Sequence, residues 1–149
     1  MKEHEISRKD ASAKALKLLS AAKTVFLATN GGHGHPNLRA MAPITFDGVQ
    51  TIWFSTSSQS SKIIELAKDD KAVVYGYSPR SMSEFRLWGS VEILDDQESR
   101  EHIWRDFLRD HFPDGAGDPN LRVLRFSAIS GMYTAKDGSG GVFDAKESE

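Results

Sequence analysis

Apolar positions change their period several times along this chain. After Asp10, Leu16, Leu19 and Ala22 recur at helical spacing with Ala and Lys between them, which predicts a helix ending near Lys23. The polar residues 1–9 before it are expected to fray. Thr24 to Thr29 is a dense β-type run, closed by the turn cluster Asn30-Gly31-Gly32-His33-Gly34-His35-Pro36. The next run alternates. Leu38, Ala40, Ala42, Ile44 and Phe46 fall on one side, with Arg39, Met41, Pro43 and Thr45 on the other. Asp47-Gly48 is a hairpin signal and leads into a third strand from Thr51 to Thr56.

Ser57 to Ser61 is rich in hydroxyls and enters a short helix carrying Ile63, Ile64, Leu66 and Ala67. Residues 72–77 predict a fourth strand, limited by Pro79. In a long fifth strand, Phe85, Leu87, Gly89, Val91 and Ile93 alternate with Arg86, Trp88, Ser90 and Glu92. Asp95 with Glu98 resembles a capping box, opening a helix whose face is Ile103, Trp104, Phe107, Leu108 and Phe112. A Pro/Gly/Asp loop follows over 113–119, and residues 121–135 return to β character. The tail from Lys136 is expected to carry little fixed structure, although Val142-Phe143 could dock. The sum is one mainly β, α+β domain spanning 1–149, with about six antiparallel strands and flanking helices. Closing into a barrel hides the strand edges most economically.

Composition narrows the chemistry. The length of 149 residues fits one domain, and 39 % hydrophobic with 27 % charged residues marks an ordinary globular chain. A net charge of -2 gives no general attraction to nucleic acid or to an anionic membrane, though it leaves room for a local basic site. Without cysteine there are no disulfides, thiolate nucleophiles, zinc knuckles or ordinary iron–sulfur clusters. No signal peptide or membrane span is read in the sequence, so the expected location is the cytoplasm.

One constellation suits an anion. Arg39 lies on the second strand, Ser55 and Thr56 end the third, and Ser60, Ser61 and Lys62 open the next helix. A hairpin between those strands would make these groups converge. A phosphate dianion wants a guanidinium fork, an ammonium, hydroxyls and free helix N-terminal N–H groups. The plainer alternative is that the serines cap the helix while Arg39 and Lys62 pair with surface carboxylates. Spacing alone leaves both open. His33 and His35 could ligate a metal, but no third ligand is suggested, and a polar turn is the better reading. Trp53 reads as a core residue, whereas Trp88, on the polar face of its strand, suits an interface or ring stacking. No residue is identified as a catalytic acid or base.

Several short pieces, in order, carry a resemblance. They are Phe26-Leu27-Ala28-Thr29, Gly34 to Met41, Ile52-Trp53-Phe54-Ser55-Thr56, Ser60 to Leu66, Leu87-Trp88-Gly89-Ser90-Val91 before Asp95-Asp96, and Phe112-Pro113. From about Ala15 to Tyr133 the chain resembles the flavin-binding split-barrel superfamily of pyridoxamine 5'-phosphate oxidase, in its general stress protein 26-like branch. The resemblance implies a six-stranded antiparallel split β-barrel and a homodimer with flavin mononucleotide at its interface. It implies that Arg39 and Lys62 hold the phosphate, with Ser55, Thr56 and Ser61 beside them. Backbone near Ala40, Met41 and Phe54 would line the ring. Glu84 stands where the oxidases have a flavin-contacting glutamine, Ser61 where they usually have arginine, and Tyr133 near their late tryptophan; Trp88 is a further cofactor-side candidate.

Ile44 replaces the oxidases' lysine, and no Arg-x-His signature follows Tyr133. Flavin binding therefore carries over, and oxidation of pyridoxamine phosphate does not. The implied function is a flavin-dependent oxidoreductase with unassigned substrate and a nicotinamide as candidate electron donor. The alternatives are a non-catalytic flavin-sequestering stress protein, or a binder of deazaflavin, haem or pyridoxal phosphate in the same cleft. A metal enzyme built on His33 and His35 is the weakest reading.

Overall fold

A computed structural model describes residues 6–145. Helix α1 spans Arg8–Ala21, and the strands before the next helix are β1 (Val25–Asn30), β2 (Pro36–Met41), β3 (Thr45–Asp47) and β4 (Thr51–Ser57). Then come α2 (Ser61–Lys68), β5 (Lys71–Ser78), β6 (Ser83–Leu94) and α3 (Gln97–Ile103). Short 3-10 turns at Asp106–Asp110 and Gly115–Gly117 precede β7 (Leu121–Thr134) and β8 (Gly140–Asp144). The strands run β2-β1-β5-β6-β7-β4-β3, all antiparallel, with β8 added beside β7. The sheet curls without closing, as a split barrel does. No helix among the described residues is long and apolar enough to cross a membrane.

Three elements differ from the sequence expectation. The second predicted strand breaks after Met41. Pro43 has no N–H to donate to a ladder, so the strand cannot continue through it. Its first half, β2, pairs with β1, placing Arg39 opposite Leu27; its second half, β3, pairs with β4. The two halves thus sit at opposite ends of the strand order, and no hairpin joins Arg39 to Ser55. The inward side is also reversed: Met41 is buried and Arg39 half-buried, while Leu38 is 67 % exposed.

The helix expected through Phe112 stops at Ile103. Asp96, rather than Asp95, caps it by accepting from the Ser99 N–H at 3.1 Å. The tail is more ordered than expected: β8 pairs with β7, Phe143 and Ala145 are buried, and Ile6 N–H donates to the Gly140 carbonyl at 3.0 Å. Among the described residues, eight strands replace six for these reasons. The expectations for residues 1–5 and 146–149 lie outside the described residues.

The alternation of β6 is as read, with Phe85, Leu87, Gly89 and Val91 buried. Between Trp88 and Gly89 the register with β7 shifts by one residue, so Trp88 faces Ser130 while Gly89 faces Ala128. The backbones approach so closely there that a Cβ on Gly89 would lie 2.0 Å from the Ser127 carbonyl oxygen. Inside the curl, Leu27, Ile52, Phe54, Val74, Phe126 and the α1 face of Ala11, Ala15 and Leu19 form the main core. A second cluster, Ile103, Leu108, Phe112, Leu121 and Val123, fills the space outside β4 and β7, with Trp53 partly buried against it.

Arg100 ties that second layer together. It is 8 % exposed, and its guanidinium donates to the carbonyls of Asp95, Ala116, Asp118 and Leu121 at 2.7–3.0 Å. One buried cation thus fixes the whole 115–121 loop onto α3.

Candidate functional site

Helix α2 begins immediately after β4, and its entry is set by Ser60. The Ser60 hydroxyl accepts from the Lys62 backbone N–H at 3.3 Å and from the Lys62 Nζ at 2.9 Å. The Lys62 ammonium is therefore folded back over the first turn. Burial, then the nearby Arg39 charge, hold its pKa below the usual 10.5, with Glu65 pulling the other way. A cation under such pressure gains from a bound anion.

One turn further, Glu65 reaches β1 and β2. Its Oε1 accepts from the Thr29 hydroxyl at 2.7 Å and from Arg39 Nη2 at 2.9 Å, and its Oε2 accepts from Asn37 Nδ2. Arg39 Nη1 also donates to Thr29 Oγ1 at 2.7 Å and to the Leu27 carbonyl at 3.3 Å. The Thr29 hydrogen bond leads the causes that lower the Glu65 pKa, with Asn37 and Arg39 adding to it against the cost of burial, so the group stays a carboxylate. The pairing with a carboxylate that the plainer reading expected is thus present. It is a half-buried network across three elements, though, and not a loose surface pair.

Starting at Ala40, the residue after Arg39, lies an open cleft of about 510 Å3 that none of the network residues lines, within the ~300–1,000 Å3 range of small-molecule sites. Ala40, Met41 and Ala42, at the end of β2, form one edge. Ser55, Thr56 and Ser57, ending β4, form another. The loop after α3 supplies Leu108, His111, Phe112 and Asn120. The Asn120 side-chain oxygen accepts from the Ser57 and Ser58 hydroxyls at 3.1 and 2.6 Å, fastening that loop to β4. The two ends of the strand order therefore meet across the split.

The sequence-predicted residues fall into three groups. Arg39, Ser61 and Lys62 stand on the α2 side. Ala40, Met41, Ser55 and Thr56 line the cleft, although Thr56 is mostly buried. The Phe54 side chain is wholly in the core, and Phe54 is not among the residues lining the cleft. Glu84 and Trp88 are not brought to the cleft within the chain. They lie on the outer sheet face, where Glu84 accepts from the Tyr75 hydroxyl and from Arg86 Nη2 at 3.2 Å, and Trp88 borders a shallow groove with Ala28 and Val73. The His33 and His35 rings lie 5.5 Å apart in their turn, and among the described residues no three His, Asp or Glu gather around a metal position.

Sequence reasoning missed Thr29, Asn37, Glu65, His111 and Asn120. Glu65 had a local signal, lying three residues beyond Lys62 on one helix face. His111 and Asn120 had none, since only folding brings their loop against β4.

The model of the family described as pyridoxamine 5'-phosphate oxidase-like matches residues 10–145. No curated protein matches the chain. Among solved structures, a Clostridium acetobutylicum protein related to general stress protein 26 of Bacillus subtilis, of the pyridoxinephosphate oxidase family, is 29 % identical with a TM-score of 0.86, covering 97 % of this chain and 100 % of that one. General stress protein 26 from Bacillus anthracis is 16 % identical with a TM-score of 0.69, covering 89 % and 96 % of the two chains. A haem-binding protein from Mycobacterium smegmatis shares the fold at 15 % identity and a TM-score of 0.78, covering 96 % of this chain and 61 % of that one.

Proposed function

This chain belongs to the pyridoxamine 5'-phosphate oxidase-like family, and from that premise we propose that it holds flavin mononucleotide in the cleft beside α2 and works as a flavin-dependent oxidoreductase of the general stress protein 26 type. The observation that carries this is the half-buried pair of cations, Lys62 and Arg39, together with a hydroxyl-lined cleft of fitting size that begins at Ala40, the residue after Arg39. Their mutual repulsion, acting with the desolvation of Lys62, is relieved by a phosphate. Lys62 takes the phosphate as a point charge, Arg39 through its free N–H bonds, and the Ser55, Ser61 and Thr56 region completes the cradle. Backbone at Ala40 and Met41 borders the ring. A bound flavin supplies hydride or single-electron chemistry. Ile44 and the missing Arg-x-His signature argue against pyridoxamine phosphate as the substrate.

A second copy of the chain is the partner in this reading. The outer sheet face exposes Phe26, Leu38, Trp88, Ile129 and Val142, and a paired surface would cover them. Glu84 and Trp88 would then reach the cofactor of the partner copy.

The test is a visible spectrum of the purified protein, followed by titration with flavin mononucleotide and riboflavin. Bound-flavin bands are expected, and Lys62→Ala should weaken flavin mononucleotide by about tenfold or more, as loss of a charge-assisted hydrogen bond does. Riboflavin should change little. Equal loss of both ligands, or no binding of either, would sink the proposal. A Soret band would instead favour haem, the ligand of the Mycobacterium smegmatis neighbour, for which His111 offers an imidazole at the cleft. Steady turnover with a nicotinamide donor separates an oxidoreductase from a flavin store.

A further inference from the structure

We infer that Glu65 is a positioning residue for anion capture: from α2 it locks the Arg39 guanidinium in one orientation, and so governs how well the site distinguishes a phosphorylated ligand from the same ligand without phosphate. The inference rests on reading the cleft as a flavin phosphate site.

A free arginine side chain carries about 2 kcal/mol of rotamer entropy. Ordering it at the moment of binding would subtract from affinity. Here the ordering is done beforehand. Arg39, Thr29 and Glu65 close a ring: Arg39 Nη1 donates to the Thr29 oxygen at 2.7 Å, the Thr29 hydroxyl donates to Glu65 Oε1 at 2.7 Å, and Arg39 Nη2 donates to the same Oε1 at 2.9 Å. The Leu27 carbonyl takes a further Nη1 bond at 3.3 Å. A guanidinium has five N–H bonds. The Nε–H and one Nη2 N–H are left over, which is the pair a bidentate acceptor needs.

Glu65 is itself immobilised, since Asn37 holds its other oxygen. The clamp joins β1, β2 and α2, with side-chain exposures of only 19 % for Arg39 and 11 % for Glu65. The carboxylate also faces Lys62 across one helical turn, so two cations stand against one anion. A rival role follows from that charge count. If Glu65 acted only by neutralising Arg39, it would weaken phosphate binding, and removing it would strengthen the site. The two roles predict opposite signs.

Dissociation constants for flavin mononucleotide and riboflavin are compared in the wild type, Glu65→Ala and Glu65→Gln. Glu65→Ala should weaken flavin mononucleotide by about tenfold, the scale of one charged hydrogen bond, and leave riboflavin within about twofold. Glu65→Gln should recover most of the loss. Its amide oxygen can still accept from Arg39 and Thr29, and Asn37 can turn its own oxygen to the new NH2 group. If Glu65→Ala does not fold, Glu65→Asp, one methylene too short to reach Arg39, carries the same expectation.

Tighter flavin mononucleotide binding in Glu65→Ala and Glu65→Gln would overturn the inference in favour of neutralisation. Equal loss of both ligands in Glu65→Ala would overturn it in favour of a merely structural role. A wild type that prefers flavin mononucleotide, with Glu65 variants that keep the full preference, would refute Glu65 alone. A wild type without any preference would refute the phosphate site along with it.

Discussion

The two regions that flank the cleft, called its walls below, differ in how they are held. On the α2 side, polar groups hold one another: Arg39, Thr29, Asn37 and Glu65 form one network, and Lys62 bends back to Ser60. On the loop side, Leu108 and Phe112 pack in an apolar cluster with Ile103, Leu121 and Val123, Arg100 gathers four carbonyls, and Asn120 seals the edge. The first wall offers charge and direction. The second offers shape, with His111 as its ionisable group. A ligand with a phosphate at one end and a flat ring at the other meets a different chemistry at each end, so damage to the two walls should be separable by comparing flavin mononucleotide with riboflavin.

The largest effect should come from Arg100→Met. It keeps the aliphatic stem but leaves buried carbonyls without donors, which costs roughly 3 kcal/mol or more. The denaturant midpoint should fall, and flavin mononucleotide and riboflavin should weaken together. Retained stability would mean that the loop is held by packing alone.

Alkaline titration should have an intermediate effect and touch the other wall. Lys62 is charged below its pKa, which burial and Arg39 place under the usual 10.5. Affinity for flavin mononucleotide should therefore be full below that lowered value and drop by about tenfold as pH rises through it. Riboflavin should not follow, and Lys62→Ala should remove the dependence. A parallel fall for both ligands would assign the titration to another group.

The smallest effect belongs to His111→Ala. The side chain is exposed, so stability should stay within about 0.5 kcal/mol. Both ligands should weaken alike by about two- to fivefold, which is under 1 kcal/mol. A loss confined to flavin mononucleotide would erase the division of labour between the walls.

Local chemistry was legible in the sequence and long-range pairing was not. Period-two alternation identified β6 and its buried face because that strand is long and has one side in the core. In β2 the same pattern was present, but its apolar side, Leu38 and Ala40, belongs to the outer face of the sheet. Alternation reports that two faces exist and does not report which one meets the core. Pro43 is visible in the sequence, and its missing N–H is the physical reason that one alternating run becomes two strands.

At the site, the Ser60 cap and Lys62 could be read from four consecutive residues. The partner of Arg39 could not, because Glu65 reaches it only once α2 has packed against β1, the strand beside that of Arg39. What shares the cleft with Ser55 is the end of β2 at Ala40, Met41 and Ala42, while Arg39 turns to Thr29 and Glu65. A hairpin was expected, and the meeting of the two ends of a curled sheet does the work instead. The general stress protein 26 resemblance, carried by several short pieces in order, survived these errors because it depends on spacing along the chain and not on any single pairing.

The bulge opposite Gly89 means that β7 holds one residue more than its ladder counts. Ile129 is that surplus, turned outward beside Ser130, while Ala128 before it and Gly131 after it both face inward. In the language of insertions and deletions, the strand has one dispensable position. Removing Ile129 would leave Phe126, Ala128, Gly131 and Tyr133 in phase with the interior. Removing a neighbour such as Phe126 would instead reverse one side of the strand against the core. The length of β7 is thus under two different constraints within a few residues, and the slack lies on the face that the second copy is proposed to cover.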